Sequence, residues 1–309
     1  MEEELFTHFA DPEHTRAGLR QAGYVATRVI CTAVYLADRL DKPLLVEGPP
    51  GVGKTELAKA CATALHRDLL RLQCYEGLDE SKALYEWEYA KQLLYAQVLK
   101  EKLDELLQGA ASFDEAITRL EGQESGFFSE AFLLPRPLLR AITSDAPVVL
   151  LIDEIDRADE EFEAFLLELL SDYQVSVPEL GTLRARHVPL VILTSNATRE
   201  VSDALRRRCL HLFIDFPSAQ EETEIVKLKV PDIEERLARK LVAMVHRLRS
   251  WDLEKVPTLS ETLDWARALV ALSADMLDAE LVEQTLGVIL KTRLDLDKGR
   301  REVRNLLKA

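Results

Sequence analysis

Eight consecutive residues, 48–55 (GPPGVGKT), complete the pattern G-x-x-x-x-G-K-[ST] of a loop that binds phosphate groups. In such a loop the glycines let backbone N–H groups point at the phosphates, and the following helix contributes the favourable field of its N-terminus. By residue type, Lys54 is expected to reach the terminal phosphates and the hydroxyl of Thr55 to bind Mg²⁺. The pattern therefore predicts a site for ATP or GTP. Its residues are Gly48, Pro49, Pro50, Gly51, Val52, Gly53, Lys54 and Thr55.

Two adjacent carboxylates follow an apolar run further along the chain. Residues 148–152 are all apolar, which is typical of a central parallel strand buried on both faces. Asp153 and Glu154 come directly after them, and open α/β sheets bind ligands at the carboxyl ends of their strands. Asp153 is expected to hold Mg²⁺, directly or through water. Glu154 is expected to orient and deprotonate the water that attacks the nucleotide.

An amide and three arginines complete the residues suited to this chemistry. The apolar run 190–193 places Asn196 at the same edge of the sheet, where its side chain can hydrogen-bond the γ-phosphate or the attacking water. Arg206, Arg207 and Arg208 follow a short predicted helix. A nucleic-acid patch would usually recur on neighbouring elements, and this one does not. We therefore interpret the group as supplying an arginine to the γ-phosphate across a subunit interface.

The flanking sequence predicts the elements that position these residues. The short apolar run 44–46 predicts a buried strand before the loop, and residues 56–66 follow it with apolar side chains at helical spacing. Residues 69–74 predict a second strand. Residues 75–145 then resemble an insertion, within which helical periodicity extends over 81–108.

Two further segments are candidates for contacts with other proteins. Residues 127–134 are conspicuously apolar, and we interpret them either as an exposed binding loop or as a buried connection. Residues 173–177 and 182–187 alternate like strands on either side of a turn, which predicts a β-hairpin. The hairpin is expected either to project towards a client or neighbouring subunit or to extend the sheet.

The N-terminal region is predicted to lead into the nucleotide site. Residues 1–15 are interpreted as a frayed lead-in, and 19–40 as an amphipathic helix interrupted near Tyr24. The backbone of Tyr24 and Val25 is a candidate for binding adenine. A buried Tyr24 is the alternative.

Chain length and pattern together predict two domains. With 309 residues, the chain exceeds the size at which a single core usually stops growing. From residue 222 onward only helical patterns remain, with breaks at Pro231 and Pro257. We therefore predict an α/β domain at 1–217 and an α-helical domain at 218–309.

Composition narrows the class of protein. No apolar run approaches the length of a membrane span, and the N-terminus (MEEE) is acidic where a signal peptide would be basic, so we expect a cytoplasmic location. A net charge of −15 argues against a general nucleic-acid surface. Without a C-x-x-C pair, the cysteines are interpreted as buried thiols rather than as zinc ligands or disulfides. They are Cys31, Cys61, Cys74 and Cys209.

Taken in order, these motifs resemble those of AAA+ ATPases. Walker A corresponds to 48–55, Walker B to 148–154, sensor 1 to Asn196 and the arginine-finger region to 204–209. The resemblance covers residues 19–216. The predicted hairpin before sensor 1 and the enlarged region after the second strand resemble the helix-2-insert branch, and within it the MoxR family.

Four shorter segments are similar to the CoxD-like subgroup of MoxR proteins. They are 75–77 (YEG), 87–91 (WEYAK), 133–139 (LLPRPLL) and 261–267 (ETLDWAR). The resemblance implies a three-layer α/β/α core with a parallel sheet, followed by a smaller α-helical lid. It also implies ATP and Mg²⁺ as cofactors.

The resemblance further implies roles for individual arginines and for partners. The last arginine of the finger motif is the usual finger, which indicates Arg208 and then Arg207, acting in a homo-oligomeric ring expected to be a hexamer. Residues 260–262 (SET) stand where many members carry the sensor 2 arginine. Arg267 is the candidate replacement, and a surface or ion-paired arginine is the alternative. A von Willebrand factor A-type protein is the usual partner of the family.

The function implied is an ATP-driven remodelling chaperone that assists metal-centre maturation of a metalloenzyme client, a molybdenum hydroxylase such as carbon monoxide dehydrogenase. A DNA-associated motor is one alternative, which the net charge disfavours. A regulatory scaffold that binds nucleotide but cycles little is another, which the intact Lys54, Asp153 and Glu154 disfavour.

Overall fold

The computed structural model describes residues 8–98, 133–177, 181–274 and 276–307. The helices are α1 (Pro12–Gln21), α2 (Arg28–Arg39), α3 (Lys54–Ala64), α4 (Glu80–Ala83), α5 (Tyr89–Val98), α6 (Pro137–Thr143), α7 (Glu160–Asp172), α8 (Asp203–Arg208), α9 (Ala219–Lys229), α10 (Glu235–Arg249), α11 (Leu259–Ala271), α12 (Ala279–Ile289) and α13 (Arg293–Leu306). The strands are β1 (Leu44–Glu47), β2 (Asp68–Gln73), β3 (Tyr85–Trp87), β4 (Leu133–Pro135), β5 (Val148–Asp153), β6 (Gln174–Val177), β7 (Gly181–Arg184), β8 (Leu190–Ser195) and β9 (Leu210–Phe213).

Five parallel strands form the central sheet in the order β2-β5-β8-β1-β9. β1, β5 and β8 are buried along their whole length, which is why they are almost continuously apolar in the sequence. Ile152 of β5 lies opposite Leu193 of β8, so both strands end at the same edge of the sheet. This arrangement brings the segments that carry Asp153 and Asn196 next to each other.

Helices cover both faces of the sheet. Val149 and Leu151 of β5 pack into the cluster beneath α1, α2 and α3, whereas Leu150 and Ile152 pack into the cluster beneath α6 and α7. Alternate residues of the strand therefore serve opposite layers. The predicted three-layer α/β/α core with a parallel sheet is confirmed.

Among the described residues from 219 to 307, five helices surround a third hydrophobic cluster. At its centre is Trp265, which is fully buried and donates from Nε1 to Thr285 Oγ1 at 2.8 Å. The chain turns between helices at Pro231 and Pro257, where the sequence predicted breaks. The predicted helical region after the core is confirmed. None of the helices in the described ranges is long and apolar enough to cross a membrane.

The N-terminal helices differ from the prediction. α1 begins at Pro12, inside the predicted lead-in, because Asp11 caps it by accepting the N–H of His14 at 2.7 Å. The part of that lead-in before residue 8 lies outside the described residues. The predicted helix at 19–40 is present in two parts, with the break near Tyr24 that the sequence predicted. It consists of the end of α1 and all of α2, with Gly23 in a left-handed conformation between them.

The insertion also departs from the prediction. Periodicity predicted one helix over 81–108, but β3 interrupts it between α4 and α5. Trp87 of β3 lies opposite Leu133 of β4 in an antiparallel pair, and this pairing overrides the local helical pattern. The part of the predicted helix from residue 99 onward lies outside the described residues.

The predicted apolar loop at 127–134 is described only at its end. Leu133 and Leu134 belong to β4, where Leu133 is buried and Leu134 is exposed. Residues 127–132 lie outside the described residues, so the two interpretations of the loop both stand.

The predicted hairpin is present as the antiparallel pair β6 and β7, although its turn residues 178–180 lie outside the described part of the chain. It forms a separate two-stranded sheet, so the expectation that it extends the central sheet is wrong. Val175 and Val177 anchor it by packing into the cluster beneath α6 and α7. In addition, the hydroxyl of Tyr173 donates to the carbonyl oxygen of Asp41 at 2.9 Å.

Candidate nucleotide-hydrolysis site

The phosphate loop joins β1 to α3 and depends on glycine at three positions. Gly51 and Gly53 have φ angles of +71° and +99°, which other residues rarely adopt. At Gly48, a Cβ atom would lie 2.0 Å from the carbonyl oxygen of Ile214, so only glycine fits. The loop leads directly into the N-terminus of α3, which favours an anion.

Lys54 lies inside this loop. It is 6% exposed, and its Nζ donates to the carbonyl oxygens of Gly48 and Pro49 at 2.7 Å each. Burial lowers the pKa of Lys54, whereas the nearby carboxylates of Asp156 and Asp153 favour its charged form. Because both hydrogen-bond partners are neutral, the ammonium keeps its charge available for a phosphate.

Thr55 and Asp153 converge at the carboxyl end of β5. Thr55 Oγ1 donates to Asp153 Oδ1 at 3.0 Å, and Asp153 is only 2% exposed. A second hydroxyl, that of Thr194 on β8, donates to the same oxygen at 2.5 Å. Hydroxyl and carboxylate oxygens are the ligands Mg²⁺ prefers, and Mg²⁺ is commonly held by one or two carboxylates together with substrate phosphates. The residues present therefore fit the predicted Mg²⁺ site.

Asp153 has a further partner that sequence reasoning missed. Arg71 of β2 donates from Nη2 to Asp153 Oδ2 at 2.6 Å and to Gln73 Oε1 at 2.6 Å. β2 is an edge strand, and the side chain of Arg71 is 49% exposed. The available signal was an arginine within an otherwise largely apolar predicted strand.

Glu154 adopts a left-handed backbone conformation, with a φ of +57° and a ψ of +51°. Its N–H donates to Thr194 Oγ1 at 2.9 Å, so one hydroxyl group fixes both Glu154 and Asp153. Its carboxylate pairs with Nε of Arg157 at 2.8 Å. Strained residues of this kind cluster at functional sites, where the surrounding contacts hold them.

Asn196 is held through its backbone by a buried carboxylate. Asp156 accepts the N–H of Asn196 at 3.2 Å and both the N–H and the hydroxyl of Thr198, at 3.1 and 2.5 Å. Burial opposes the charged form of Asp156, but these hydrogen bonds outweigh it and lower the pKa of Asp156. Sequence reasoning missed Asp156, although its position three residues after Asp153 was a signal. The side chain of Asn196 is partly exposed at the end of β8.

The three arginines lie within the last turns of α8, rather than after a helix as predicted. Arg206 pairs with Glu47 at 2.8 Å, and the same carboxylate contacts Nε2 of His211 at 2.6 Å. Arg207 and Arg208 are exposed, and within the described part of the chain neither side chain makes a hydrogen bond or an ion pair. Neither residue lines the cavity beside the phosphate loop.

A cavity of about 460 Å³ lies between the phosphate loop and the helical region. Tyr24 and Val25 line it, and the ring of Tyr24 is buried, which raises the pKa of its hydroxyl. The buried Tyr24 is confirmed, whereas adenine binding by the backbone of Tyr24 and Val25 stays a prediction. Arg267 also lines the cavity and pairs with Asp264 at 3.0 Å. The cavity suits a flat, mostly apolar group such as a purine base. Its apolar lining includes Val29, Ile30, Phe213, Ile214, Leu259 and Leu263.

The first turn of α11 lies directly on the phosphate loop. A Cβ atom on Gly51 would be 2.3 Å from Oγ1 of Thr258, which is the N-cap of α11. Thr258 also takes part in a capping box with Glu261. The loop conformation and the position of this helix are therefore sterically coupled.

Ion pairs join α9 to the core on the same side. Lys229 pairs with Glu56 of α3 at 2.7 Å, and Arg20 of α1 pairs with Glu224 at 2.5 Å. The bond from Lys229 is the main reason that the pKa of Glu56 is lowered. The helix that begins at Lys54 is thus in direct contact with the helical region.

A buried carboxylate organises the helices next to these contacts. Glu222 is fully buried and accepts from Nη1 and Nη2 of Arg249 at 2.6 and 2.8 Å, from Thr262 Oγ1 at 2.6 Å and from Nε2 of His246 at 2.8 Å. The guanidinium of Arg249 lies over the ring of Phe216, 4.8 Å from its centroid. Thr262, in the segment where the resemblance expected sensor 2, is therefore a buried part of this network.

The fold and this edge of the sheet define a P-loop nucleotide-binding protein. Residues 43–209 match the AAA domain (dynein-related subfamily), which is more than half of the chain. The chain therefore belongs to this AAA family, and the AAA+ ATPase resemblance is confirmed at that level.

Several known proteins are similar to this chain. An uncharacterized protein of Staphylococcus haemolyticus is 23% identical over 275 residues, which cover 87% of this chain and 90% of that protein. Chaperone protein ClpB 2 of Parasynechococcus marenigrum is 30% identical over 154 residues, which cover 50% of this chain but 13% of ClpB 2. Among solved structures, the RuvB Holliday junction branch migration motor of Thermotoga maritima has a TM-score of 0.45 and 20% identity, covering 89% of this chain and 68% of RuvB.

Proposed function

We propose that this chain hydrolyses ATP with Mg²⁺ and uses the free energy to remodel other proteins, as a MoxR-type AAA+ chaperone in the cytoplasm. The observation that carries the proposal is the 3.0 Å contact between Thr55 Oγ1 and Asp153, next to the buried ammonium of Lys54. Membership of the AAA family supports an ATPase, and the likeness to part of a ClpB chaperone supports remodelling.

Each residue of the site has a role in this proposal. Lys54 binds the terminal phosphates, and Thr55 and Asp153 hold Mg²⁺, which neutralises phosphate charge when it is bound. Glu154 accepts a proton from the attacking water after it exchanges its present ion pair for that water. Asn196 orients the γ-phosphate or the water, and the bond from its N–H to Asp156 keeps the end of β8 in place.

The test compares Lys54→Ala with Glu154→Gln. Lys54 contacts charge in the ground state, so its loss should weaken ATP binding, whereas Glu154→Gln should bind ATP normally and nearly abolish turnover. Binding is measured by calorimetry and turnover by phosphate release, with and without DNA. Lys59→Ala, an exposed lysine of the same helix, is the matched control. Wild-type turnover in Glu154→Gln would refute the assignment of the base.

We further propose that the subunits form a ring. In this ring Arg208, and secondarily Arg207, reaches the γ-phosphate of the adjacent subunit and so completes the site. It is supported by the exposure of both side chains, while Arg206 is occupied by Glu47. Mixing Arg208→Ala with Glu154→Gln subunits should restore part of the activity, because an intact base can then meet an intact arginine. No recovery at any ratio, in a protein shown to be oligomeric, would contradict the trans role.

We propose that the client is a molybdenum hydroxylase such as carbon monoxide dehydrogenase, and that a von Willebrand factor A-type protein is the partner. The support is the resemblance of four segments to the CoxD-like subgroup. Two of them, 87–91 and 133–139, begin with residues that pair in one small sheet, Trp87 and Leu133. These segments can therefore form a single surface.

Deletion of the gene tests this maturation role. The hydroxylase purified from the deletion strain should be synthesised and folded but lack its complete metal centre, as measured by its metal and sulfur content and its activity. A strain carrying Glu154→Gln should show the same defect if hydrolysis is needed. A fully loaded, active hydroxylase in the deletion strain would overturn the maturation role and leave the ATPase proposal intact.

A further inference from the structure

Arg71 places a cation beside a buried carboxylate of the candidate site. Its Nη2 lies 2.6 Å from Oδ2 of Asp153, a carboxylate that is 2% exposed. An uncompensated buried carboxylate is costly, and the carboxylates of Glu154 and Asp156 are close along the chain. Arg71 therefore stabilises a concentration of negative charge.

The same oxygen of Asp153 also faces the predicted Mg²⁺ ligand on the phosphate loop. Thr55 Oγ1 lies 3.3 Å from the Oδ2 that Arg71 contacts. Mg²⁺ binds oxygen ligands at roughly 2.0 to 2.1 Å, and two cations at such distances around one carboxylate repel each other strongly. A guanidinium bonded to Oδ2 thus leaves Mg²⁺ only the other oxygen, Oδ1, which already accepts from Thr55 and Thr194.

We propose that Arg71 neutralises Asp153 until Mg²⁺ binds. Its guanidinium then leaves Asp153 and binds the terminal phosphate of ATP. This inference rests on the proposed ATPase function. The side chain of Arg71 is 49% exposed on an edge strand, so it has room to move. It lies at the Thr55 end of the site, outside the lining of the purine-sized cavity, and a guanidinium binds phosphate oxygens in a bidentate manner. Arg71 is then a second phosphate-binding cation of the same subunit, beside Lys54.

The experiment measures ATP and ADP binding by calorimetry in Mg²⁺, with Glu154→Gln as the parent protein to prevent hydrolysis. Adding Arg71→Ala should reduce the preference for ATP over ADP by roughly ten-fold, the value of one charge-assisted hydrogen bond. ADP should bind at least as tightly as in the parent. The Mg²⁺ concentration for half-maximal ADP binding should fall, because no guanidinium has to be displaced. Arg71→Lys should keep part of the ATP preference.

Control variants make each outcome decisive. Arg186→Ala removes an exposed arginine that pairs with Asp145 outside the site and should change neither nucleotide affinity. Arg71→Gln keeps a donor for Asp153 without the charge, and it replaces Arg71→Ala if the alanine variant does not fold. An unchanged ATP preference and Mg²⁺ requirement in a folded Arg71 variant would overturn the inference. If the parent binds neither nucleotide, it is the ATPase proposal that fails.

Discussion

Arg157 Nε lies 2.8 Å from a carboxylate oxygen of Glu154, the residue assigned as the base for hydrolysis. A short 3₁₀ turn, Ile155–Arg157, follows β5. Glu154 immediately precedes this turn and Arg157 ends it, and the Arg157 side chain is 61% exposed. The ion pair therefore engages the carboxylate of Glu154, while the side chain of Arg157 stays accessible at the surface. Arg157 also lines an open groove with Tyr75 and Glu76.

Arg157→Ala is expected to raise kcat for ATP hydrolysis by up to about five-fold, with KM unchanged. An exposed ion pair is worth roughly 0.2 to 1 kcal/mol, which is the free energy needed to release Glu154. Steady-state phosphate release measures both constants. Arg157→Lys should stay near the wild-type rate. A large fall in kcat for Arg157→Ala would instead indicate that this arginine assists the reaction.

Gly51→Ala should weaken ATP binding much more than Gly77→Ala weakens it. The two glycines have similar φ angles, +71° and +79°, so the backbone cost of alanine is comparable. Only at Gly51 does the added Cβ meet another group, the side chain of Thr258, whereas nothing lies within 4 Å at Gly77. Calorimetry with ATP and thermal melting compare the two variants. Equal effects would show that the contact with Thr258 is unimportant.

Glu222→Ala should destabilise the helical region by about 3 to 5 kcal/mol, because it leaves the buried Arg249 without its carboxylate. Glu235→Ala, which removes an exposed carboxylate paired with Lys227 and Arg239, should change stability little. Urea unfolding followed by fluorescence reports on this region, since Trp265 is buried within it. Similar losses in both variants would argue against a stabilising role for the Glu222 network.

The thiols should react slowly in the native protein at pH 8 and quickly after unfolding in guanidinium chloride. Burial raises the pKa of Cys74 and of Cys209 to about 12, and it also raises the pKa of Cys31 and Cys61. Only the thiolate reacts, so the native rate should increase as the pH rises towards those values. A dithiobis(nitrobenzoate) assay gives both rates. The structure buries Cys31, Cys61 and Cys74 but leaves Cys209 partly exposed, so rapid native reaction at pH 8 of any of the first three would contradict their burial.

Local sequence pattern was sufficient for the parts of the site that depend on one strand and the loop after it. The positions of Lys54, Thr55 and Asp153 at one edge of the sheet were predicted in this way, because each lies at the end of a strand or in the loop after it. Buried parallel strands have a strong apolar signature, so β1, β5 and β8 were predicted with nearly correct ends.

Contacts that no local pattern marks were not predicted. Arg71 and Asp156 acquire their roles from contacts with Asp153 and Thr198, which only the folded sheet brings close. The single helix predicted over 81–108 failed for the same reason, since the strand within it exists through pairing with β4.

Ionic strength offers a way to separate the two kinds of contact between the helical region and the core. The pairs Lys229–Glu56 and Arg20–Glu224 are solvent-accessible, so they are screened as the Debye length falls from about 8 Å in physiological salt to about 3 Å at 1 M. Glu222 is fully buried and is largely protected from this screening. Salt should therefore loosen the attachment of α9 to the core while the helical region itself stays intact.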